Sequence, residues 1–178
     1  MNLLLHDIKD GTFSGAELTE PDSWKIINTN VNAVPCRGCF DCWLKNKGYC
    51  FYKDIFRCAG RELATAEHRF VISEMTYGGL SAPVKRFFDR SISGSLPFFK
   101  FSKGEVHHMR RYKIKQSFTF CIYGQTTELE KETLKAYVKR LCVNGGSELK
   151  DILFAEDAQS AKNMFLHFIN EEKLKEAE

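Results

Sequence analysis

The sequence predicts an α/β fold, a five-stranded parallel sheet covered by helices on both faces. Three observations predict it. Short runs of β-branched and aromatic residues alternate with helical patterns from one end of the chain to the other. The chain is 178 residues long, enough for one hydrophobic core without staples. Its composition, 43% apolar and 28% charged, is that of an ordinary globular domain and excludes disorder, collagen or a coiled coil for the whole.

The elements follow in order. Residues 3–5, three leucines, form a first buried strand. Ser14 and Glu17 then make a capping-box pattern, with Phe13 and Leu18 as a staple, and Pro21 ends that short helix within about two turns. Residues 24–31 (WKIINTNV) form a second strand and residues 54–63 a helix. Residues 69–75 (RFVISEM) form the third strand, followed by a helix over 82–92 with Val84, Phe87 and Phe88 on one face. Residues 118–123 (FTFCIY) form the fourth strand. A helix over 129–143 follows, where Leu134, Tyr137, Val138 and Leu141 recur at three and four residues. A fifth strand includes 152–154, and the last helix runs from 158 to about 173 with Met164, Phe165, Phe168 and Ile169. The order suits a doubly wound sheet of flavodoxin type. Ligands of such sheets bind beyond the carboxyl ends of the strands, which directs attention to the loops after strands one, three and four.

Residues 1–178 form a single domain carrying two excursions, a cysteine-rich loop at 35–50 and a basic, aromatic insertion at 93–115. No apolar run approaches the ~18 residues that span a bilayer, and the leucines near the N-terminus are too few for a signal-peptide core. A cytoplasmic protein with no membrane partner is expected. The net charge of +3 is too small to imply a nucleic-acid partner. Seven cysteines without an export signal do not suggest a disulfide framework, yet Cys36, Cys39, Cys42, Cys50 and Cys58 crowd into 23 residues. Cys121 and Cys142, on an apolar strand and an apolar helix face, belong to the core, and Cys58 is structural.

The loop after strand three, Thr76-Tyr77-Gly78-Gly79-Leu80-Ser81, opens a helix. Its glycines allow close backbone approach to a flat ligand, Tyr77 offers a face for stacking, and Ser81 with Pro83 starts the helix. Ordinary turn chemistry explains the same residues equally well. The stretch TYGGLSAPVKRFFDR, with Lys85, Asp89 and Arg90 in its closing Lys-x-x-x-Asp-Arg, resembles the flavin-contacting segment of the NADPH-dependent FMN reductase and iron–sulfur flavoprotein family. PCRGCFDCWLKNKGYC with Lys53-Asp54 resembles that family's cysteine-rich loop, and LPFFKFSKGEVHHMRRY an insertion of one subgroup. The resemblance spans roughly residues 34 to 124.

That resemblance implies a flavodoxin-like three-layer α/β/α sandwich binding FMN. It places Thr76, Tyr77, Gly78 and Gly79 against the isoalloxazine, their amides on its N5 and O4 edge, with Tyr123 and Gly124 as the other wall. Tyr123, ending a buried strand, is as readily a core residue. The loop after strand one departs from the family: its Ser-rich phosphate loop is replaced by His6-Asp7-Ile8-Lys9-Asp10-Gly11-Thr12-Phe13-Ser14, where Asp7 and Asp10 repel a phosphate. Lys9, Thr12 and Ser14 are what remain to hold one, or are plain solvated loop.

The spacing C-x2-C-x2-C-x7-C of Cys36, Cys39, Cys42 and Cys50 resembles the [4Fe–4S] motif of the iron–sulfur flavoproteins, where a cluster near the flavin edge passes electrons singly. Zinc and bare, small-hydrophobe thiols are the competing readings. Trp43 is a packing anchor. In the insertion, Lys100, Lys103, Arg110, Arg111, Lys113 and Lys115 face one acid, Glu105, amid Phe98, Phe99 and Phe101. The segment serves to attract anionic NAD(P)H, with Arg110 or Arg111 near a phosphate, or as a subunit contact through Leu96, Pro97, Phe98 and Phe99. His107 and His108 are polar surface residues. The expected function is an FMN-dependent NAD(P)H oxidoreductase, a homodimer or homotetramer passing electrons to a small molecule or redox protein. The alternatives are an iron–sulfur electron carrier and a flavodoxin-like binding module that has lost FMN.

Overall fold

The computed structural model describes residues 1–9, 13, 23–102 and 104–176. Strand β1 (Asn2–His6) is apolar on both faces, which suits only the interior of a sheet. It pairs in parallel with β2 (Trp24–Asn28) on one side and β3 (His68–Glu74) on the other. A short helix α1 (Asp41–Leu44) and α2 (Ala59–Thr65) lie between β2 and β3. After β3 come α3 (Ala82–Arg90), a 3-10 turn (Ser91–Gly94) and an antiparallel hairpin, β4 (Ser95–Ser102) with β5 (Glu105–Arg110). Strand β6 (Ser117–Tyr123), α4 (Glu128–Gly145), β7 (Glu148–Ala155) and α5 (Ala158–Glu176) complete the chain. The main sheet has the order β2-β1-β3-β6-β7, all parallel.

Alternation along the strands divides the core into two. Leu3, Leu5, Val71, Phe118, Phe120 and Ile122 pack under α2, α3 and α4, on Ala59, Val84, Phe87, Leu134 and Val138. Leu4, Phe70, Ile72 and Cys121 pack on the other face against Ala161, Phe165 and Ile169 of α5. Cys121 and Cys142 are buried as expected, and burial pushes their thiols up, to about 12 and about 11.

Local chemistry sets the element ends. The Ser81 hydroxyl accepts from the Val84 amide to start α3. Thr127 and Glu130 form the capping box of α4, and Gly146, at φ 62°, ends it. The helix expected from residue 54 starts only at Ala59, because the Asp54 carboxylate accepts the Phe56 amide and holds a turn instead. The expected insertion at 93–115 is largely the β4–β5 hairpin, and β7 starts at Glu148, four residues earlier than 152–154, at the amino end of its pairing with β6. The short helix expected after Ser14 lies outside the described residues.

The cysteine-rich loop is anchored by one ion pair. Both Asp54 oxygens accept from Arg90, at 2.9 and 2.6 Å, and Arg90 also donates to the Val34 carbonyl. The Val34 amide donates to Asp54 in turn, so the pair ties both ends of the loop to the end of α3. Arg90 is 1% exposed. Burial favours a neutral Asp54, but the Arg90 guanidinium and the Val34 and Phe56 amides outweigh it and hold the carboxyl below its ordinary value. Such a group lends stability above its unfolded pKa and loses it as pH falls through the folded one. Asp54→Ala strands a buried guanidinium and is expected to cost about 3 kcal/mol of unfolding free energy. Urea denaturation at neutral pH and at pH values below the ordinary carboxylate range checks this: the deficit shrinks as the pH falls through the lowered Asp54 value.

Candidate functional site

Strand order reverses at β1, because β2 and β3 leave it on opposite sides. A crevice is expected outside the carboxyl ends of β1 and β3 at such a reversal. Three segments lie at that end: His6 and Asp7 at the end of β1, residues 76–79 after β3, and Tyr123 and Gly124 at the end of β6.

The segment after β3 is a two-residue turn. Thr76 and Gly79 exchange two backbone hydrogen bonds of 3.0 Å, while Tyr77 and Gly78 take φ 51° and 71°. This is the type I′ pattern, which demands left-handed backbone at both central positions. Gly78 has a second reason to be glycine. A Cβ there would lie 2.9 Å from the Thr133 Cβ, so the turn rests directly on α4. The pairing changes which amides are open to a ligand. Those of Thr76 and Gly79 are spent on each other, contrary to the expectation that all four bond a flavin edge. The Tyr77 and Gly78 amides have no backbone acceptor among the described residues. The Tyr77 ring is 95% exposed. Lys85 brings its ammonium to 3.4 Å from the position a Gly79 Cβ would take.

Asp7 was legible in the sequence only as a charge unfriendly to phosphate. The structure gives it another role. It is buried, and its carboxylate accepts from the Glu74 amide at 2.9 Å and from the Tyr123 hydroxyl at 3.0 Å, tying β1 to β3 and β6. An acid two residues past three consecutive buried leucines was the available signal. Tyr123 is therefore part of a strap as well as lying at the crevice. Burial first, then the Asp7 and Glu74 carboxylates, pushes its phenol well above the ordinary value. Gly124 has φ 103°, and among the described residues a Cβ there would meet nothing nearer than the Glu74 Cγ at 3.9 Å. His6 is buried with Nδ1 unpartnered among the described residues, and burial pushes it down to about 4, leaving it neutral. Lys9 is exposed. Thr12 and Ser14 lie outside the described residues.

The cysteines lie elsewhere. The Trp43 indole N–H donates to the Ile92 and Ser95 carbonyls, just past the end of α3, which confirms Trp43 as an anchor. Cys50 lies beside Arg90 at the same end. The turn at Tyr77 precedes the opposite end of α3, whose nine residues span about 13 Å. The cysteines and the turn expected to hold a flavin thus lie toward opposite ends of α3. Cys36 and Cys39 are exposed, Cys42 is buried in α1 and Cys50 is half-buried. Among the described residues no three His, Cys, Asp or Glu side chains are placed to share a metal ion, so Cys36, Cys39, Cys42 and Cys50 do not form the expected ligand set. Burial, with Cys50, Cys36 and Cys39 nearby, pushes the Cys42 thiol up to about 11. Arg110 and Arg111 are also turned to backbone: Arg110 donates to the Gly146 and Ile114 carbonyls and Arg111 to those of Ser93 and Ser95. His107 bonds Asn144 and Glu105, and His108 the Leu96 carbonyl.

Solved structures share this architecture. An FMN-dependent NADH-azoreductase from Bacillus anthracis matches with TM-score 0.55 at 14% identity over 100% of both chains. An NAD(P)H:quinone oxidoreductase from Methanothermobacter marburgensis matches with TM-score 0.56 at 12% identity over 95% of each. An NADH:FMN oxidoreductase matches with TM-score 0.51 at 9% identity over 97% of this chain and 88% of the other. These likenesses establish a flavodoxin-like fold. No protein-family model and no curated protein matches the chain. No helix among the described residues is long and apolar enough to cross a membrane.

Tyr123→Phe removes the hydroxyl that, with the Glu74 amide, donates to the buried Asp7 carboxylate. It is expected to lower unfolding free energy by about 1–3 kcal/mol in guanidinium titration. An unchanged midpoint would show that the strap carries no stability.

Proposed function

We propose that the chain is an FMN-dependent NAD(P)H oxidoreductase whose flavin ring lies on the turn beyond β3. The observation that carries this reading is the Tyr77-Gly78 turn itself: an exposed aromatic ring and two unspent amides on a rigid bend beside the β1–β3 reversal. The shared fold of three reductases that use FMN or NAD(P)H supports it.

The described residues fit the ring end of FMN. Tyr77 offers a stacking face, the Tyr77 and Gly78 amides offer donors to a ring edge, and Lys85 offers a cation near the turn. The Thr76–Gly79 pair keeps those donors in place, so their orientation costs little on binding. Gly124 forms a second wall with Tyr123. Lys9, Thr12 and Ser14 are assigned to the phosphate. Bound FMN supplies hydride acceptance from the nicotinamide and electron delivery to an acceptor, which is a small molecule or a redox protein. The exposed Phe98, Phe99 and Phe101 of β4 support a homodimer or homotetramer joined through the hairpin.

A second reading, a flavodoxin-like module without FMN, draws on the acidic side of the crevice, where Asp7 and Glu74 both act on Tyr123. FMN uptake separates the two. Protein mixed anaerobically with FMN and then with NADH or NADPH is expected to bleach the bound flavin absorbance. Failure to retain FMN at micromolar concentrations would select the second reading. Tyr77→Ala is expected to weaken FMN binding about 10-fold, the value of one ring stack, with an unchanged melting temperature. Equal flavin occupancy in both proteins would remove Tyr77 from the site.

A further inference from the structure

A cavity of about 680 Å³ opens at the amino end of the sheet, between the cysteine-rich loop, the β4–β5 hairpin and the end of α4. It is distant from the Tyr77 turn, because its floor is made by the first residues of β3 and β6. Its charge is one-sided. Arg37, Arg69, Arg90 and Arg110 line it, against the single carboxylate of Asp89 among the described lining residues. Arg90 has Asp54 as its partner.

Arg69 has no carboxylate partner among the described residues. It is 3% exposed and lies over the Phe118 ring, 3.9 Å from the centroid. Its guanidinium donates only to neutral acceptors: the Ser117 carbonyl at 3.3 Å, the Leu63 carbonyl at 3.4 Å and the Ser147 hydroxyl at 2.9 Å. A guanidinium has five N–H donors, so two have no acceptor in that set. Burial pushes Arg69 down to about 9, which leaves it charged at neutral pH. Cys142 beside it supplies no counter-charge, because burial pushes its thiol up to about 11. Arg110 is near enough to repel Arg69. A second unmet donor belongs to the same cavity: Nε of the buried Arg90 has no N or O hydrogen-bond partner among the described residues.

A buried cation without a counter-ion is costly unless something pairs with it. The rest of the lining suggests what pairs. Phe88, Phe118, Tyr137, Leu63 and Leu141 give apolar and aromatic walls around the guanidiniums. We propose that this cavity is a second binding site, for a small aromatic carboxylate whose carboxylate bridges Arg69 and Arg110 and whose ring lies among Phe88, Phe118 and Tyr137. Charge-assisted bonds to a planar guanidinium give the orientation, and the walls give the contact area. The site does not depend on FMN binding at the other end of the sheet.

Isothermal titration with 2-naphthoate tests it, with 2-naphthamide and inorganic phosphate as controls, in protein with and without added FMN. Naphthoate is expected to bind one per chain, at least 10-fold more tightly than the amide or phosphate, and equally with or without FMN. Arg69→Met and Arg110→Gln are each expected to weaken it at least 10-fold. If Arg69→Met does not fold, Arg110→Gln, at a half-buried position, decides. Equal binding of the amide or of phosphate, unchanged affinity in Arg110→Gln, or displacement of naphthoate by FMN overturns the proposal.

Discussion

Parallel pairing of β1 with two different neighbours governs the rest of the molecule. Leu4 faces Ile26 on one side and Phe70 on the other, so the chain runs from β1 to a neighbour on one side and from β3 to β6 on the other. The loops that follow β1 and β3 therefore part, and a crevice is expected where they separate. Everything assigned to the flavin depends on that division. A strand buried on both faces has no freedom to slip, since a one-residue shift would exchange the two core faces, Leu3 and Leu5 for Leu4.

The crevice is held by polar groups that the fold consumes internally. The Asp7 carboxylate ties three strand ends together, and the Thr76–Gly79 pair locks the turn. These bonds subtract donors and acceptors from any ligand, and in return they fix the few that remain. In the proposed function, recognition at this end rests on a rigid shape with sparse chemistry, an arrangement suited to a cofactor that brings its own reactivity. The amino end is different. There the guanidiniums of Arg69, Arg90 and Arg110 are held by packing and backbone carbonyls, and the cysteine-rich loop is fastened by the Asp54–Arg90 pair.

Periodicity made the sheet and its helices readable, since Leu3 to Leu5, Phe118 to Tyr123 and the Leu134–Val138 face each carry a pattern that only one environment satisfies. The turn at Thr76 to Gly79 was readable from its glycines, but which amides stay open depends on a hydrogen-bond exchange that spacing does not reveal. The spacing of Cys36, Cys39, Cys42 and Cys50 suggested a shared ligand. Spacing sets what a loop can do, and Trp43 docked on Ile92 and Ser95 sets what it does, spreading exposed and buried thiols along one end of α3. Arg69 and Arg90 looked like a strand residue and a motif residue. Their common cavity arises from tertiary contacts between segments up to 78 residues apart, as Arg69 and Ser147 show.

Backbone amide chemical shifts recorded while FMN is added to isotopically labelled protein test the central claim most directly. Saturable shifts centred on Tyr77, Gly78 and Gly124, with Cys42, Cys50 and Arg69 undisturbed, are the predicted result. Shifts confined to the arginine-lined end, or none at millimolar FMN, would contradict the account.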